Sequence, residues 1–247
     1  MSLYNLLSNN RFVNNILIAT GYDARLQMAA KQWKLFSYNK SKTIQENAGF
    51  SHTKEVEDAL SIIKNKLIYT LKEYVKDQEN ILDFGCGPGI YMELLHKDYK
   101  VDGIDVSEAM ISSAKQQLPS SFFYFGNFLH TQFQKKYSAI YSISVLEYIP
   151  VSKIDVFFEK CASLLVKDGI IFIQYPNAVS KSDLYYSDRN YINYSPLLIS
   201  KIASSYFTII ENKQSYDGRE TCDYDRKPYP TPSKLFTNGY LLLAKKK

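Results

Sequence analysis

The residues of this chain best suited to chemistry are an acid and three glycines at alternate positions: Asp83, Gly85, Gly87 and Gly89. They end a short apolar run, a pattern typical of a buried strand that breaks into a tight turn and then opens a helix. Alternate glycines remove the Cβ atoms from one edge of the turn, so a flat ligand can lie against bare backbone. The following helix would turn its N–H groups and the positive end of its dipole toward that ligand.

A second acid, Asp105, ends the next apolar run along the chain, about twenty residues after the turn. A carboxylate at that offset can accept hydrogen bonds from both hydroxyls of a ribose. The two strand ends together indicate a site for a ligand that contains a nucleoside. A tight strand–helix connection that binds nothing is the alternative.

The spacing of the glycines separates two classes of nucleoside ligand. Dinucleotide-binding proteins use the pattern G-x-G-x-x-G, which here would need a glycine where the sequence has Ile90. Asp83 would repel a pyrophosphate but would attract an ammonium group. S-adenosylmethionine carries an ammonium, a sulfonium and a ribose, so the sequence favours this cofactor over a nicotinamide or flavin.

These residues and several stretches downstream resemble the class I S-adenosylmethionine-dependent methyltransferases. The likeness covers about residues 78–177, and a looser likeness beyond it points to a small-molecule, sugar-modifying branch of that family. The stretches similar to family motifs are Ile81–Gly89, Val101–Ser107 with Met110, Gly126–Phe128, Ser142–Ile149 and Leu164–Ile173.

The resemblance implies a set of cofactor contacts. Asp83 and the backbone of the glycine turn would hold the methionine part, and Asp105 the ribose, while Val106 and Met110 would flank the adenine. Asn127 stands where the family commonly has Asp, which keeps one acceptor and adds an NH₂ donor. Asp83 as a turn cap and Met110 as a core residue are the alternatives. The expected cofactor-binding residues are Asp83, Gly85, Cys86, Gly87, Gly89, Asp105, Val106, Met110, Asn127, Phe128 and Ser144.

The expected catalytic residues follow the third and fourth strands. Many relatives have E-H where this chain has Glu147 and Tyr148, and a tyrosine with a pKa near 10 is a poor base at neutral pH. Glu147 is a candidate base with a structural role as the alternative, and His130 is the third candidate. An amine or an acidic hydroxyl would need only positioning and no base.

Tyrosines and arginines downstream are candidates for binding the methyl acceptor. Tyrosine offers a flat face and a hydroxyl, and arginine pairs with carboxylate or phosphate, which suits a polar and anionic acceptor. A solvated lid is the alternative. The expected substrate-binding residues are Tyr175, Asn177, Tyr186, Arg189, Arg219 and Tyr224.

The predicted function is therefore methyl transfer to an oxygen or nitrogen of a polar small molecule, such as a sugar or nucleotide-linked sugar of a surface polysaccharide. A nucleic-acid methyltransferase is one alternative, although the fourth strand ends in Val145–Tyr148 rather than in N-P-P-Y or D-P-P-Y. A cofactor-binding regulator without catalytic activity is the other.

Net charge and composition limit the kinds of partner that we expect for this protein. The net charge is +5, of which the last three lysines supply three, and no long basic run favours nucleic acid. Three cysteines and three scattered histidines show no metal-ligand spacing, and an odd cysteine count fits a reducing cytoplasm. No apolar run approaches the ~20 residues that span a bilayer. We expect no metal, no membrane and no nucleic-acid partner, and a monomer or homodimer.

Alternating strand and helix patterns must position these residues. They predict an α/β fold with a Rossmann-like, doubly wound, mostly parallel seven-stranded sheet over 53–247, behind an N-terminal helical cap over 1–52. The family's terminal antiparallel hairpin would place the 216–234 loop on the substrate side. Predicted helices cover 54–75, 89–97, 107–117, 152–166 and 196–205, and predicted strands cover 80–84, 100–105, 121–125, 138–144, 169–175, 206–210 and 239–244.

Overall fold

The structure is a computed structural model that describes residues 54–176, 184–186, 192–214 and 239–247. The expected N-terminal cap and the 216–234 loop lie outside these residues, so the division of the chain at residue 52 stays a prediction. Tyr186 is described by its backbone alone. The predicted substrate-binding residues outside the described part are Asn177, Arg189, Arg219 and Tyr224.

Helices and strands alternate through most of the described chain. The helices are α1 (Lys54–Tyr74), α2 (Ile90–Leu95), α3 (Glu108–Gln117), α4 (Ile154–Leu164) and α5 (Pro196–Ala203). The strands are β1 (Asn80–Phe84), β2 (Lys100–Asp105), β3 (Phe122–Phe125), β4 (Tyr137–Ile143), β5 (Leu165–Pro176), β6 (Leu184–Tyr186), β7 (Ile192–Tyr194), β8 (Phe207–Gln214) and β9 (Gly239–Lys246). Two 3₁₀ turns, Leu146–Tyr148 and Val151–Lys153, lie between β4 and α4.

Seven of these strands form one sheet, in the order β3-β2-β1-β4-β5-β9-β8. The pairs from β3 to β5 are parallel, and β9 is inserted between β5 and β8, antiparallel to both. The predicted doubly wound sheet with a C-terminal antiparallel hairpin is therefore confirmed. Because the parallel strands all run one way, the residues after β1, β2 and β4 meet at one edge of the sheet, hereafter the carboxyl edge.

The structure departs from the predicted elements near the fifth strand. β5 begins at Leu165, directly after α4, whereas the sequence indicated a turn before residue 169. Asp168 has a φ of +64°, and the β4–β5 register shifts after Tyr137, so the expected turn is a bulge within an extended strand. β6 and β7 pair as a short hairpin that the sequence did not predict.

Apolar side chains cover both faces of the sheet. Leu67 and Leu71 of α1 pack with α2 and α3 on one face, and Phe157 and Phe158 of α4 pack with α5 on the other. Side chains alternate between faces along a strand, so Asp83, two residues after the buried Ile81, points to the α1–α3 face. Within the described residues, the helices include none that is both apolar and long enough to cross a membrane.

Candidate functional site

The three glycines after β1 have three different surroundings. At Gly85, whose φ is +76°, a Cβ atom would lie 2.3 Å from Cγ2 of Val145, the residue that leaves β4. At Gly89, whose φ is +93°, a Cβ would lie 3.3 Å from Leu118. At Gly87, whose φ is +52°, a Cβ would meet no atom of the described residues within 4 Å. The bare edge expected for a ligand is therefore present at Gly87, whereas the other two glycines permit close packing.

The backbone N–H groups of this glycine turn already have partners. Gly85 and Cys86 donate to the carbonyl oxygen of Ile104 at 2.8 and 3.1 Å, and Gly89 donates to that of Cys86 at 3.0 Å. Gly87 donates to Oδ2 of Asp105 at 2.9 Å. A pyrophosphate needs such donors, whereas an ammonium group needs acceptors such as carbonyl oxygens and carboxylates. The turn therefore suits an ammonium better.

Asp105 is held by the backbone on both of its oxygens. Besides the Gly87 bond, its Oδ1 accepts the N–H of Ser107 at 2.8 Å. Burial raises the pKa of Asp105, and the N–H groups of Ser107, Gly87 and Val106 oppose this rise. Each oxygen has a further lone pair, so the carboxylate can still accept from two hydroxyls. The acid thus links the glycine turn to β2 in a geometry compatible with the predicted ribose contact.

Asp83 has no comparable support. Its side chain is 2% exposed, and within the described residues its Oδ2 atom and the hydroxyls of Tyr91 and Tyr141 have no hydrogen-bond partner. Burial raises the pKa of Asp83 well above its usual range, against a lowering by the nearby Tyr141 hydroxyl and with a further rise from Asp105. A buried acid with one oxygen unpartnered among the described residues, beside two buried phenols, is the polar environment that a cationic ligand group would complete.

Sequence reasoning missed both tyrosines. Tyr141 lies opposite Asp83 in the β1–β4 register, so it points to the same face of the sheet. Knowledge of that register would have found it. Tyr91 lies one residue into α2, inside the stretch that the sequence singled out, but only the packing shows that it is buried.

The residues predicted to contact adenine have mixed surroundings. Val106 is half-buried, whereas Met110 is 2% exposed within α3. The Phe128 ring packs against Phe84 with ring centroids 4.7 Å apart, so only its backbone is available to a ligand. Asn127 is exposed, and its Oδ1 accepts the N–H of the residue two positions later at 2.9 Å. Its amide NH₂ is the group left to face an adenine, and all four contacts stay predictions.

The Cys86 side chain faces the protein rather than the bare edge of the turn. The thiol is buried against β2, where a Cβ on Gly103 would lie 2.8 Å from its sulfur. Any cofactor contact by Cys86 would therefore come from its backbone.

The exit of β4 brings Ser144, Val145 and Glu147 to the carboxyl edge. Ser144 has a φ of +57°, and its Oγ donates to the Oε1 of Gln174 at 2.9 Å. This left-handed turn leads into Val145, which packs on Gly85. A non-glycine residue with such a φ costs free energy and is common at functional sites.

Glu147 is the buried acid of this exit, with 5% of its side chain exposed. Its Oε2 atom has no hydrogen-bond partner in the described part of the chain. Burial raises the pKa of Glu147 to about 8, and only its own backbone N–H opposes that rise. A carboxyl with this pKa is mostly protonated at neutral pH.

The other predicted catalytic and substrate residues are less well placed. His130 is exposed on the turn after β3, where its backbone N–H donates to the Asn127 carbonyl at 3.0 Å. Tyr148 is half-buried beside Glu147. Tyr175 is fully buried, and its hydroxyl donates to Oδ1 of Asn212 at 2.8 Å, which gives it a packing role. Their contacts with an acceptor stay predictions.

Comparisons with known proteins agree with the fold and the turn. A family model described as a methyltransferase domain matches residues 81–169. Trans-aconitate 2-methyltransferase of Escherichia coli O45:K1 is 32% identical over 102 residues, and malonyl-[acyl-carrier protein] O-methyltransferase 1 of Ilyobacter polytropus is 30% identical over 112 residues. The aligned parts are 40% of this chain and of the first relative, and 42% of this chain and of the second. The chain thus spans about two fifths of the length of the curated relatives it matches.

A solved structure matches over most of the chain. The N-methyltransferase NodS of Bradyrhizobium japonicum WM9, in complex with S-adenosyl-L-homocysteine, has a TM-score of 0.61 and 13% sequence identity. The match covers 90% of this chain and 98% of NodS. At this identity the likeness concerns the fold.

Proposed function

Because this chain carries a methyltransferase domain of the class I, S-adenosylmethionine-dependent family, we propose that it transfers a methyl group from S-adenosylmethionine to an oxygen or nitrogen of a polar small molecule. The observation that carries this proposal is the chemistry of the glycine turn. Its N–H groups are paired within the protein, and among the described residues the Oδ2 atom of the buried Asp83 beside it has no hydrogen-bond partner. This combination favours an ammonium-bearing ligand over a phosphate-bearing one.

The residues present fit S-adenosylmethionine at three points. The Asp83 carboxyl would accept the ammonium, Asp105 would accept the ribose hydroxyls, and the open side of Gly87 would let the ligand approach the backbone. The cofactor supplies an activated methyl group on a sulfonium. The protein's part is to hold that group at the carboxyl edge, to align the acceptor and to keep water away.

For the acceptor, we propose an oxygen nucleophile of a polar metabolite. The two curated relatives are named for trans-aconitate and for the malonyl group of an acyl-carrier protein, and both groups carry carboxylates. A sugar or nucleotide-linked sugar is the alternative, supported by the tyrosines and arginines of the downstream sequence. Catalytic roles for Glu147, Tyr148 and His130 belong to this proposal.

Alanine substitutions at two glycines test the cofactor site. At Gly87 an added Cβ meets open space among the described residues. The free energy of unfolding of Gly87→Ala should therefore lie within about 1–2 kcal/mol of the parent value, a difference that reflects the cost of its left-handed φ. The same Cβ would occupy the bare edge, so we expect its affinity for S-adenosylhomocysteine to fall at least tenfold by calorimetry.

Gly85→Ala is the matched control, because its Cβ would collide with Val145 rather than with the ligand. It should lose stability, and Gly85→Ala combined with Val145→Ala should regain part of it. Equal affinities for parent and Gly87→Ala would contradict the proposed cofactor position.

Turnover is then tested with methyl-labelled S-adenosylmethionine and panels of carboxylates, sugars, amines and nucleic acids. Tight binding without transfer to any panel would leave a binding protein rather than an enzyme.

A further inference from the structure

We propose that Glu147 works as a neutral carboxylic acid that donates a hydrogen bond to an anionic oxygen of the methyl acceptor, and that the acceptor is therefore a carboxylate. This inference rests on the proposed methyltransferase function and deepens it. It reverses the role of base that the sequence assigned to Glu147.

Glu147 lies at the carboxyl edge, close to the glycine turn. It lies in the 3₁₀ turn Leu146–Tyr148, two residues after Val145, which packs directly on Gly85 of the glycine turn. β4 and β1 are neighbours in the sheet, so the residues after these strands share the carboxyl edge. Acceptors bind at this edge in open α/β sheets, next to the cofactor.

The elements around the Glu147 turn carry few ionisable groups. The turn packs against β5 and β7, and the tyrosines at the carboxyl ends of these two strands are Tyr175 and Tyr194. Tyr175 donates to Asn212 at 2.8 Å, and Tyr194 donates to the carbonyl oxygen of Ile149 at 2.5 Å. The charged pair on β5, Lys167 and Asp168, lies at the opposite end of that strand, and Asp168 binds Lys245 at 3.0 Å.

No cation among the described residues therefore pairs with Glu147, whose Oε2 is buried without a partner. An isolated carboxylate in such a place costs several kcal/mol, and proteins avoid this cost by keeping the proton. Burial accordingly raises the pKa of Glu147 to about 8.

A protonated carboxyl is a hydrogen-bond donor and not a base. It cannot remove a proton from an alcohol or an ammonium, but it can donate a strong hydrogen bond. Anionic oxygen is the best partner for that donor, and ketosteroid isomerase shows that a buried, neutral acid can serve this purpose. A hydroxyl or amine acceptor that must lose a proton would need a base, and the protonated form of Glu147 cannot be that base.

With a carboxylate acceptor the reaction balances without a proton transfer. A lone pair of the carboxylate oxygen forms the bond to the methyl carbon while the carbon–sulfur bond breaks. The electron pair of that bond stays on sulfur, the sulfonium becomes a neutral thioether, and the product is a methyl ester. Glu147 keeps its proton throughout and acts on the orientation and charge of the acceptor.

The test compares the parent with Glu147→Gln, Glu147→Ala and the control Glu159→Gln, which changes an exposed glutamate on α4. Trans-aconitate and malonate serve as carboxylate probes, and methyl transfer is followed from pH 6 to 10. For the parent we expect kcat/KM to fall as the pH rises through about 8, because Glu147 then loses its donor proton. Glu147→Gln keeps a donor but has no proton to lose, so its profile should be flat over this range, and at pH 7 its KM should lie between those of the parent and Glu147→Ala.

Glu147→Ala has no donor and should raise KM for the carboxylate at least tenfold with a smaller change in kcat. Glu159→Gln should follow the parent throughout. A rate that rises through pH 8 and disappears in Glu147→Gln would establish a base and overturn the proposal. Transfer to amines or alcohols alone would also overturn it while leaving the methyltransferase function intact. Failure of every acceptor would instead remove the proposed function itself.

A readout without turnover completes the design. At pH 7 the infrared difference spectrum between the ligand-free parent and Glu147→Gln should contain the band of a protonated carboxyl, and the difference between the parent and Glu159→Gln should not. Addition of malonate with S-adenosylhomocysteine should shift that band, because the proton then bonds to an anionic oxygen. Absence of the band from the first difference spectrum would overturn the proposal.

Discussion

Buried acids near the two ends of the same sheet differ in how fully their oxygens are hydrogen-bonded. Asp102, in the amino-terminal half of β2, is 3% exposed, and its carboxylate accepts from the Tyr137 hydroxyl at 2.9 Å and pairs with Lys135 Nζ at 2.9 Å. Asp83 and Glu147, at the carboxyl edge, are equally buried, yet each has an oxygen without a partner among the described residues. The described residues supply hydrogen-bond partners to Asp102, and they leave one oxygen each of Asp83 and Glu147 without a partner.

The difference separates structural acids from ligand-binding ones. A buried carboxylate with two donors contributes to the fold and has little capacity left for a ligand, whereas an orphaned one costs stability until a ligand arrives. Asp105 lies between these extremes, since two backbone N–H groups hold it while its remaining lone pairs stay available. Unsatisfied acids, rather than acids as such, therefore mark the site.

Substitution of Glu147 should give the largest effect, a change in how the free energy of unfolding depends on pH. Its pKa is raised from 4.5 to about 8, so the folded protein retains a proton that the unfolded chain loses above pH 4.5. Stability must then fall as the pH rises between these two values, by up to about 5 kcal/mol at 1.36 kcal/mol for each unit of pKa difference. Glu147→Gln removes that loss, so above pH 8 it should resist urea better than the parent.

Asp102→Ala is the matched opposite, because it removes an acid whose partners are already in place. We expect a loss of up to about 3 kcal/mol at neutral pH, because the buried Tyr137 hydroxyl then loses its acceptor. Urea denaturation at pH 5, 7 and 9 compares the two variants. If Glu147→Gln is less stable than the parent at pH 9, the carboxyl is satisfied by contacts beyond the described residues and the contrast fails.

The contrast was only partly visible in the sequence. Alternating apolar runs predicted the sheet and its hairpin because strand and helix periodicities are local properties, and the spacing of Asp83, the glycines and Asp105 predicted the cofactor class. The sequence could not show that Gly85 is closely packed and Gly87 open. That difference depends on Val145, which follows β4 and contacts Gly85 alone of the two. Equally, no local pattern tells whether a buried acid such as Glu147 or Asp102 has partners.

Asp83 provides a second test, through ligand affinity. The ammonium of S-adenosylhomocysteine needs an ionised carboxylate, but burial raises the pKa of Asp83 well above its usual range. Affinity should therefore fall as the pH drops through that raised pKa, and binding should release a proton at lower pH. Asp83→Asn should weaken binding about 100-fold, or about 2.7 kcal/mol, and abolish the pH dependence. Calorimetry in two buffers of different ionisation enthalpy measures both, and pH-independent binding by the parent would contradict the assignment.

Asp105→Ala has the smallest expected effect. It separates the role of Asp105 in fixing the glycine turn from its role in binding the ribose. Loss of the ribose contact should weaken the binding of S-adenosylhomocysteine by roughly 10- to 100-fold, about 1.4–2.8 kcal/mol of binding free energy. The substitution also releases the N–H groups of Gly87 and Ser107, so the glycine turn should loosen even without ligand. Asp105→Asn retains one acceptor oxygen for the turn and for the ribose, and should lie between parent and alanine variant in affinity. Hydrogen exchange of the Gly87 amide in the ligand-free protein reports the structural part alone. If that amide exchanges faster in Asp105→Ala while calorimetric affinity is unchanged, Asp105 belongs with Asp102 as a structural acid, and the ribose must be bound by other residues.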